Sequence, residues 1–297
     1  LKQERWVKGE SFWGIIFVVP IMALFICFFF IPLLISIGAS FTDWNVLSRT
    51  TNFVGGINFV ALVSDFKFIK AIGNTIYMLI PIPIYMTLAL LFALACNREV
   101  PGNKIYKVIY YLPYVSSIVA LVILWQWLFN SEYGLVNHAF TTITGMRGPN
   151  WLGEPQWIKR TIAIMISWKM IGPTSIYYLA ALKKIPQSYY ESAKLDGATP
   201  FQVFTRITFP LITPTTFFLV IVGLIGSLQT FVEVQLFTSD GGRGYGVGTV
   251  VYYIWEKAFK YNEMGYACSM AMLFGLIILL ITILQFKISK NWVYEED

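Results

Sequence analysis

Long apolar stretches alternate with short polar ones along the whole chain. Five of the apolar runs carry no charge: Ser11–Thr42, Ala71–Asn97, Val108–Ser131, Leu211–Val232 and Met264–Phe286. A sixth, Thr161–Leu182, is interrupted only by Lys169. Crossing a bilayer core takes about 20 apolar residues, so each run is long enough. Lipid offers the backbone no hydrogen bonds, which leaves helices as the reading for runs of this length. The pattern predicts an all-α membrane protein forming one domain over residues 1–297. Its six transmembrane helices are expected at about 13–37, 72–96, 108–129, 161–182, 211–236 and 265–286.

An even number of spans puts both termini on one side. Segments 1–12, 97–107, 183–210 and 287–297 hold 12 Lys and Arg, against 9 in segments 38–70, 131–160 and 238–262. The excess marks the cytoplasmic side, so the termini are expected there. The first run is too long for a removable signal peptide and lacks a small-residue cleavage site. Because the chain starts at Leu1, further residues are expected upstream.

Proline and glycine punctuate the spans. Pro20 and Pro32 lie in the first, and Pro81-Ile82-Pro83 should kink the second. A tight inner turn is expected around Pro101-Gly102, and an outer turn at Gly55-Gly56 precedes an amphipathic piece, Phe59–Ile69. Trp6, Trp13 and the Trp125-Gln126-Trp127 group suit headgroup depth. Asn74, Lys169, Gln229, Glu233 and Gln235 lie within or near spans, so some helix faces need protein neighbours or a water-filled path.

Composition agrees with the pattern: 57% of residues are apolar, 13% are charged and the mean hydropathy is +0.63, outside the range of soluble domains. The net charge of +6 belongs to topology and lipid contact, with no nucleic-acid partner implied. Cys27, Cys96 and Cys268 sit at unrelated depths and read as small packing residues. His138 is the one histidine, which excludes a His-based metal site or catalytic triad by counting. No phosphate-binding loop Gly-x4-Gly-Lys-Ser/Thr occurs, so nucleotide chemistry is not expected in this chain.

Between the fourth and fifth spans, residues 183–210 form a polar connection with its own helical pattern. Pro186 fits a first turn and Ser188 is a candidate cap. Tyr189, Tyr190 and Ala193 form an apolar side, with Glu191 and Lys194 facing outward. Gly197 permits the left-handed conformation that ends a helix. Thr199-Pro200 restarts one, with threonine as cap and proline at the first helical position. The expected product is a stiff, L-shaped pair of short helices that transmits a push. An amphipathic helix lying on the inner leaflet would show a polar face rich in Lys and Arg. Here Glu191 and Asp196 stand beside Lys194 and Arg206.

The stretch Tyr190-Glu191-Ser192-Ala193-Lys194-Leu195-Asp196-Gly197-Ala198, with Ile207-Thr208-Phe209-Pro210 beginning ten residues after the glycine, resembles the cytoplasmic coupling loop of permease subunits in binding-protein-dependent ABC importers. The usual form of that loop is Glu-Ala-Ala-x3-Gly-x9-Ile-x-Leu-Pro; Ser192 and Phe209 depart from it. Similarity to carbohydrate-importer permeases extends over nearly the whole chain. It includes Ser40-Phe41-Thr42-Asp43-Trp44, Leu112-Pro113-Tyr114, Gly134-Leu135-Val136-Asn137, Trp168, Ala181-Leu182-Lys183-Lys184-Ile185-Pro186, Asp196-Gly197-Ala198, and Thr238 leading into Gly241-Gly242. The order resembles a maltose-type first permease without its large insertion, as in compact multiple-sugar, glycerol-phosphate or alginate-type relatives.

The resemblance implies a type I importer permease fold, in the bacterial cytoplasmic membrane, that is not itself an enzyme. It implies pairing with a second homologous permease, two ATPase subunits that bind ATP and Mg, and an extracytoplasmic solute-binding protein. Glu191, Ser192, Ala193 and Gly197 match the motif that docks on the ATPase, and Asp196 belongs to its sugar-branch variant. Tyr114, Lys169, Gly223, Ser227 and Thr230 match positions lining the sugar path, with Glu233 nearby. Independently of the resemblance, Gly223, Ser227 and Thr230 share one helix face by i, i+4, i+7 spacing. Hydrogen bonding between packed helices is the competing reading for Ser227 and Thr230. An unpaired charge at the depth of Lys169 costs about 2.5–3.5 kcal/mol, so water, solute or a counter-charge such as Glu233 must meet it. The substrate expected is an oligosaccharide, acidic or neutral, or a sugar-like solute. An ion-coupled secondary transporter of small polar solutes is the rival class. That class should show coupling carboxylates or broken helices within its spans, plus an internal repeat; Glu233 is the one carboxylate that qualifies, and no repeat is visible.

Overall fold

The computed structural model describes residues 2–97 and 103–294, with side chains from Gly14 to Asn97 and from Ile105 to Tyr294. The inner turn at Pro101-Gly102 and the interfacial placement of Trp6 and Trp13 lie outside the described residues. Fifteen α-helices follow one another among the described residues, with no strand; one isolated bridge joins Thr42 to Phe53. The first is α1 (Lys2–Phe25), which passes through a π turn (Ile26–Phe30) into α2 (Ile31–Ala39). Then come α3 (Ile57–Ser64), α4 (Phe66–Tyr77), α5 (Pro81–Asn97), α6 (Asn103–Val115), α7 (Ile118–Leu128) and α8 (Leu135–Thr144). The long α9 (Pro155–Lys184) leads to the short α10 (Gln187–Leu195) and α11 (Pro200–Val203). A π turn (Phe204–Thr208) opens α12 (Phe209–Leu228), followed by α13 (Val232–Phe237), α14 (Val250–Trp255) and α15 (Met264–Ser289).

By length and apolarity, four helical stretches are fit to cross a membrane: Gly14–Ala39, Phe66–Asn97, Pro200–Leu228 and Met264–Ser289. A fifth counts if α6 and α7, bent by 97° at their junction, form one span. The sequence predicts a single helix there. Pro113 deprives the helix of one N–H, and Ser117 is extended (φ −56°, ψ 131°), so the chain turns sharply just after it. Two other expectations are modified. The amphipathic piece Phe59–Ile69 is divided by extended Asp65 (φ −77°, ψ 103°), and the fifth predicted span is interrupted after Leu228.

The chain divides into two compact units, one comprising residues up to Asp65 and Ile254–Gly275, the other Phe66–Tyr253 and residues from Leu276 onward. In the first unit, the segment after α2 is built around its polar side chains. The Asp43 carboxylate accepts the Asn52 backbone N–H at 2.6 Å and the Asn52 side-chain amide at 2.9 Å. Those two donors, the backbone one foremost, hold its pKa below the ordinary carboxylate value. The Asn58 side-chain amide donates to the carbonyls of Ser40 and Thr42, both at 2.9 Å. The Gly265 N–H donates to the Trp44 carbonyl at 2.9 Å. A Cβ on Gly265 would lie 2.1 Å from the Thr42 carbonyl oxygen, so the backbones approach this closely only with glycine there.

In the second unit, α5 packs along α9 and α12. Ile82, Tyr85, Ala89 and Ala93 meet Tyr178 and Leu182, with Ile212 and Leu219 closing the cluster. Small residues matter here: in lipid, helices associate by close packing rather than by a hydrophobic driving force. Cys96 is buried in this cluster, as a packing role requires, whereas Cys27 is exposed on the first helix. In the segment between α7 and α9, Asn137 donates to the Ser131 carbonyl at 2.8 Å and accepts the Trp151 indole N–H at 2.7 Å. Its place in the Gly134–Asn137 pattern is therefore explained by loop closure.

Overpacking a backbone contact costs about 1–3 kcal/mol, so Gly265→Ala should lower thermal stability measurably in detergent. Gly275→Ala, where an added Cβ meets nothing within 4 Å, should not. Equal melting of both variants would show that the Gly265–Thr42 contact is unimportant.

Candidate functional site

Residues 229–231 interrupt the fifth predicted span between α12 and α13. Backbone that leaves the helix at membrane depth must be buried in protein or line a water-filled cavity. Here Thr230 is buried, and Gln229, Thr230 and Phe231 all line a cavity. The Gln229 and Thr230 N–H groups still donate back, to Ile225 at 3.1 Å and Ser227 at 3.3 Å. The Thr230 carbonyl accepts the Thr249 hydroxyl at 2.6 Å, and the Leu236 carbonyl accepts the Gln126 amide at 3.0 Å.

Thr249 is itself held by the Gly-rich turn that precedes it. Buried Asn74 donates to the carbonyls of Tyr245 at 3.0 Å and Gly248 at 2.9 Å. The Thr75 hydroxyl accepts the Val250 N–H at 3.0 Å. The polar Asn74 that the sequence places in a span thus anchors the turn that braces the break.

Beside the break lies an open cavity of about 320 Å³. Lys169, Gly223, Ser227, Thr230 and Glu233 all line it, together with Tyr85 from α5. Tyr114 does not: it is 44% exposed on α6, with its ring 5.6 Å from that of Tyr111. Ser227 and Thr230 are buried, and the Thr230 hydroxyl donates to the Ser227 carbonyl at 2.8 Å. That hydroxyl is engaged with its own helix end, while the face it shares with Gly223 still forms the wall. The Lys169 ammonium lies 3.7 Å from the Glu233 carboxylate, both side chains less than one-fifth exposed. Counter-charge and cavity lining, alternatives on the sequence, coincide in this pair.

Tyr85 was not legible as a site residue. The available signal is a tyrosine two residues after Pro83, far from either end of an apolar run. Gly223 supplies the missing half: a Cβ there would lie 2.3 Å from the Tyr85 phenol oxygen. The glycine therefore makes room for the tyrosine as well as smoothing the wall.

The other candidate region is the polar connection at residues 183–210. Pro186, not Ser188, occupies the cap position of α10, and no side chain caps that end. A proline there needs no side-chain cap to set the entry angle, and Ser188 falls inside the first turn. The C-terminal end is closed by two hydrogen bonds, Ala198 N–H to the Ala193 carbonyl at 2.9 Å and Gly197 N–H to the Lys194 carbonyl at 3.2 Å. That pattern requires the left-handed residue found at Gly197 (φ +73°). Thr199 and Gln202 then form a reciprocal capping box at the start of α11. Ala193 is buried, and the Tyr190 hydroxyl lies 3.3 Å from that of Thr208, fastening the loop to the start of α12. Glu191, Ser192, Asp196 and Gly197 are exposed, as are Leu195 at 89% and Phe201 at 75%.

Residues 85–293 match the profile of a family described as the binding-protein-dependent transport system inner membrane component. Over 302 residues the chain is 32% identical to the probable ABC transporter permease protein YesP of Bacillus subtilis (strain 168), covering 100% of this chain and 96% of that protein. It is 34% identical over 284 residues to the lactose transport system permease protein LacF of Rhizobium radiobacter, covering 94% of each. A chain from the crystal structure of a bacterial alginate ABC transporter in complex with an alginate pentasaccharide-bound periplasmic protein matches with a TM-score of 0.84. It is 26% identical and covers 96% of this chain and 97% of that one.

Gly223 and Tyr85 should be coupled energetically. Gly223→Ala is expected to destabilise, Tyr85→Phe to be milder, and the double variant to recover part of the loss. The interaction energy should fall in the range of about 0.5–3 kcal/mol usual for residues in contact. Thermal unfolding of the purified protein in detergent reads the cycle, and strict additivity would contradict the contact.

Proposed function

Because the chain belongs to the binding-protein-dependent transport system inner membrane component family, we propose that it is a permease subunit of an ATP-driven importer for carbohydrate. On this reading it forms half of the translocation path in the bacterial cytoplasmic membrane. It acts with a second homologous permease, two ATPase subunits that carry ATP and Mg, and an extracytoplasmic solute-binding protein. The chain crosses six times, with α9 as the fourth span and α6 and α7 together as the third. Its termini and residues 183–210 face the cytoplasm. Lys169, Gly223, Ser227, Thr230 and Glu233 line the solute path together with Tyr85, and Tyr114 stands outside that cavity.

The observation that carries this reading is the inner connection. A loop that only reverses the chain needs neither a left-handed closure nor a capping box. Here both are present, and together they make a rigid angle between α10 and α11. That angle presents two large apolar side chains, Leu195 and Phe201, beside the acidic Glu191 and Asp196. Exposed apolar side chains on a stiff polar element suit a protein partner, and stiffness lets the partner's movement reach α12 through Thr208. The lactose permease and the alginate transporter among the similar proteins support carbohydrate as the solute.

The experiment is Gly197→Val in the assembled importer. A β-branched residue resists φ of +73° at a strain of about 1–3 kcal/mol, so the loop should lose its closure. Substrate-stimulated ATP hydrolysis should fall while membrane insertion is unchanged, and Gly197→Asn, which tolerates the left-handed region, should retain more of it. Glu191→Lys should weaken ATPase association by reversing the charge at the contact. Undiminished transport in Gly197→Val and Glu191→Lys would overturn the coupling role. Transport by the isolated chain down an ion gradient without ATP would favour the secondary-transporter reading.

Sidedness is tested separately. A cysteine at Ser188 should react only with a reagent applied from the cytoplasm, and one at Ser239 only from outside. The reverse labelling would invert the proposed topology.

A further inference from the structure

Taking the cavity as the solute path, we infer that the Lys169–Glu233 pair makes it selective for uncharged, hydroxyl-rich carbohydrate and against acidic sugars. Lys169 alone would argue the opposite, since a lone cation beside a solute path attracts carboxylates. The structure removes that cation's excess. Lys169 and Glu233 are the two charged side chains of the lining, and they face each other across 3.7 Å. The net charge that this chain's lining presents to a solute is therefore zero. An anion drawn to the ammonium would have to approach a carboxylate a few ångströms away, and screening is weak for groups this little exposed.

The geometry also suits hydroxyls specifically. Charge-assisted N–H···O bonds are about 2.7–2.9 Å long; at 3.7 Å the two heads attract each other without being locked together. The ammonium offers three donors and the carboxylate about four acceptor sites. A sugar hydroxyl both donates and accepts, so two adjacent hydroxyls satisfy both heads at once. A uronate carboxylate only accepts, which serves Lys169 and leaves it facing Glu233. Gln229, also in the lining, repeats the same donor-and-acceptor pattern without charge. Small residues form one strip of the wall, with Gly223, Gly226 and Ser227 along one helix face and Tyr85 opposite Gly223, while Ile166, Met170, Val222, Phe231 and Val232 supply the apolar remainder. A Cβ built at Gly226 meets no atom within 4 Å, so the space beside it is open for a ring.

The test uses the complex of both permeases with the ATPase subunits, without the binding protein, so that the binding protein's own selectivity does not enter. Equilibrium dialysis compares labelled lactose with labelled digalacturonate. The wild-type complex should retain lactose better than digalacturonate. Glu233→Gln leaves Lys169 uncompensated and should shift the ratio toward digalacturonate by about tenfold or more, as expected for one unbalanced charge near a bound anion. The double variant Lys169→Gln with Glu233→Gln is neutral again and should return the ratio to its wild-type side. Glu233→Asp, which keeps the charge, should not shift it. Complex yield is measured for each, because a purely structural pair would change yield without changing the ratio.

Gly226→Leu separates this inference from the reading on which it rests. It fills the open space and should abolish retention of both sugars. If Gly226→Leu retains both as the wild type does, the cavity is not the solute path and the underlying reading fails. If Gly226→Leu abolishes retention but the wild type prefers digalacturonate, the charge-selectivity inference alone is overturned. An unchanged ratio in Glu233→Gln overturns it equally.

Discussion

A backbone surrounded by hydrocarbon must satisfy its own hydrogen bonds, and the second unit is organised by how it meets that demand where its helices stop. Two of its breaks are matched to specific donors or acceptors. At 229–231 the Thr249 hydroxyl takes that task at the Thr230 carbonyl, and near the end of α13 the Gln126 amide takes it at the Leu236 carbonyl. At the turn before α14 it falls to Asn74 and Thr75. An unsatisfied group there would cost several kcal/mol, more than packing of neighbouring apolar side chains would recover. The polar residues inside the spans are thus accounted for in sequence, from α4 to the Gly-rich turn, to Thr249, to the Thr230 carbonyl. What this arrangement permits is a stretch of non-helical backbone, held in place, beside a cavity.

The same constraint changes how a broken helix is read. Interrupted spans and a carboxylate within them are expected of secondary transporters, and both are present here. Family membership over residues 85–293 places them instead in a binding-protein-dependent system. A broken helix is therefore compatible with a binding-protein-dependent permease and does not by itself signal ion coupling. A continuous helix would present the i, i+4, i+7 face of Gly223, Ser227 and Thr230 and then carry Glu233 onward along its axis. Ending α12 at Leu228 instead lets Glu233 come within 3.7 Å of Lys169 on α9.

Much of the architecture was legible because its signals are local. Charge-free runs marked the apolar helices, and Gly197 followed by Thr199-Pro200 marked where one short helix of the 183–210 connection ends and the next begins, down to the left-handed residue and the capping threonine. Local signals also misled. Ser188 has the right chemistry for a cap, but Pro186 fixes the helix entry first. Pro113 was visible, yet a proline inside a span is compatible with anything from a mild kink to the 97° bend observed. Phe59–Ile69 has a helical period that continues across Asp65, and periodicity does not register one extended residue. In the site, the face of Gly223, Ser227 and Thr230 was readable from spacing, and the possible Lys169–Glu233 pairing from the scarcity of charge. Tyr85 was not readable, because its relation to Gly223 joins α5 to α12 across more than a hundred residues and leaves no mark in either segment.

The two ends of α12 link the candidate regions physically. At its N-terminal end, Tyr190 meets Thr208 where a π turn widens the helix. At its other end, the helix stops beside the cavity. Between them, Ile212 and Leu219 are buried against α5 and α9, so the helix is clasped along its length rather than at one point. A packed helix responds to a push by moving as a body, because close-packed interiors transmit displacement rather than absorbing it. Gly223 sits on the face that meets Tyr85, the one cavity-lining contact in which a phenol oxygen already fills the place of a Cβ. Movement of α12 relative to α5 would therefore be felt first at Tyr85, at the wall of the cavity. That makes the missing Cβ of Gly223 as much a matter of how the wall moves as of how much room it leaves.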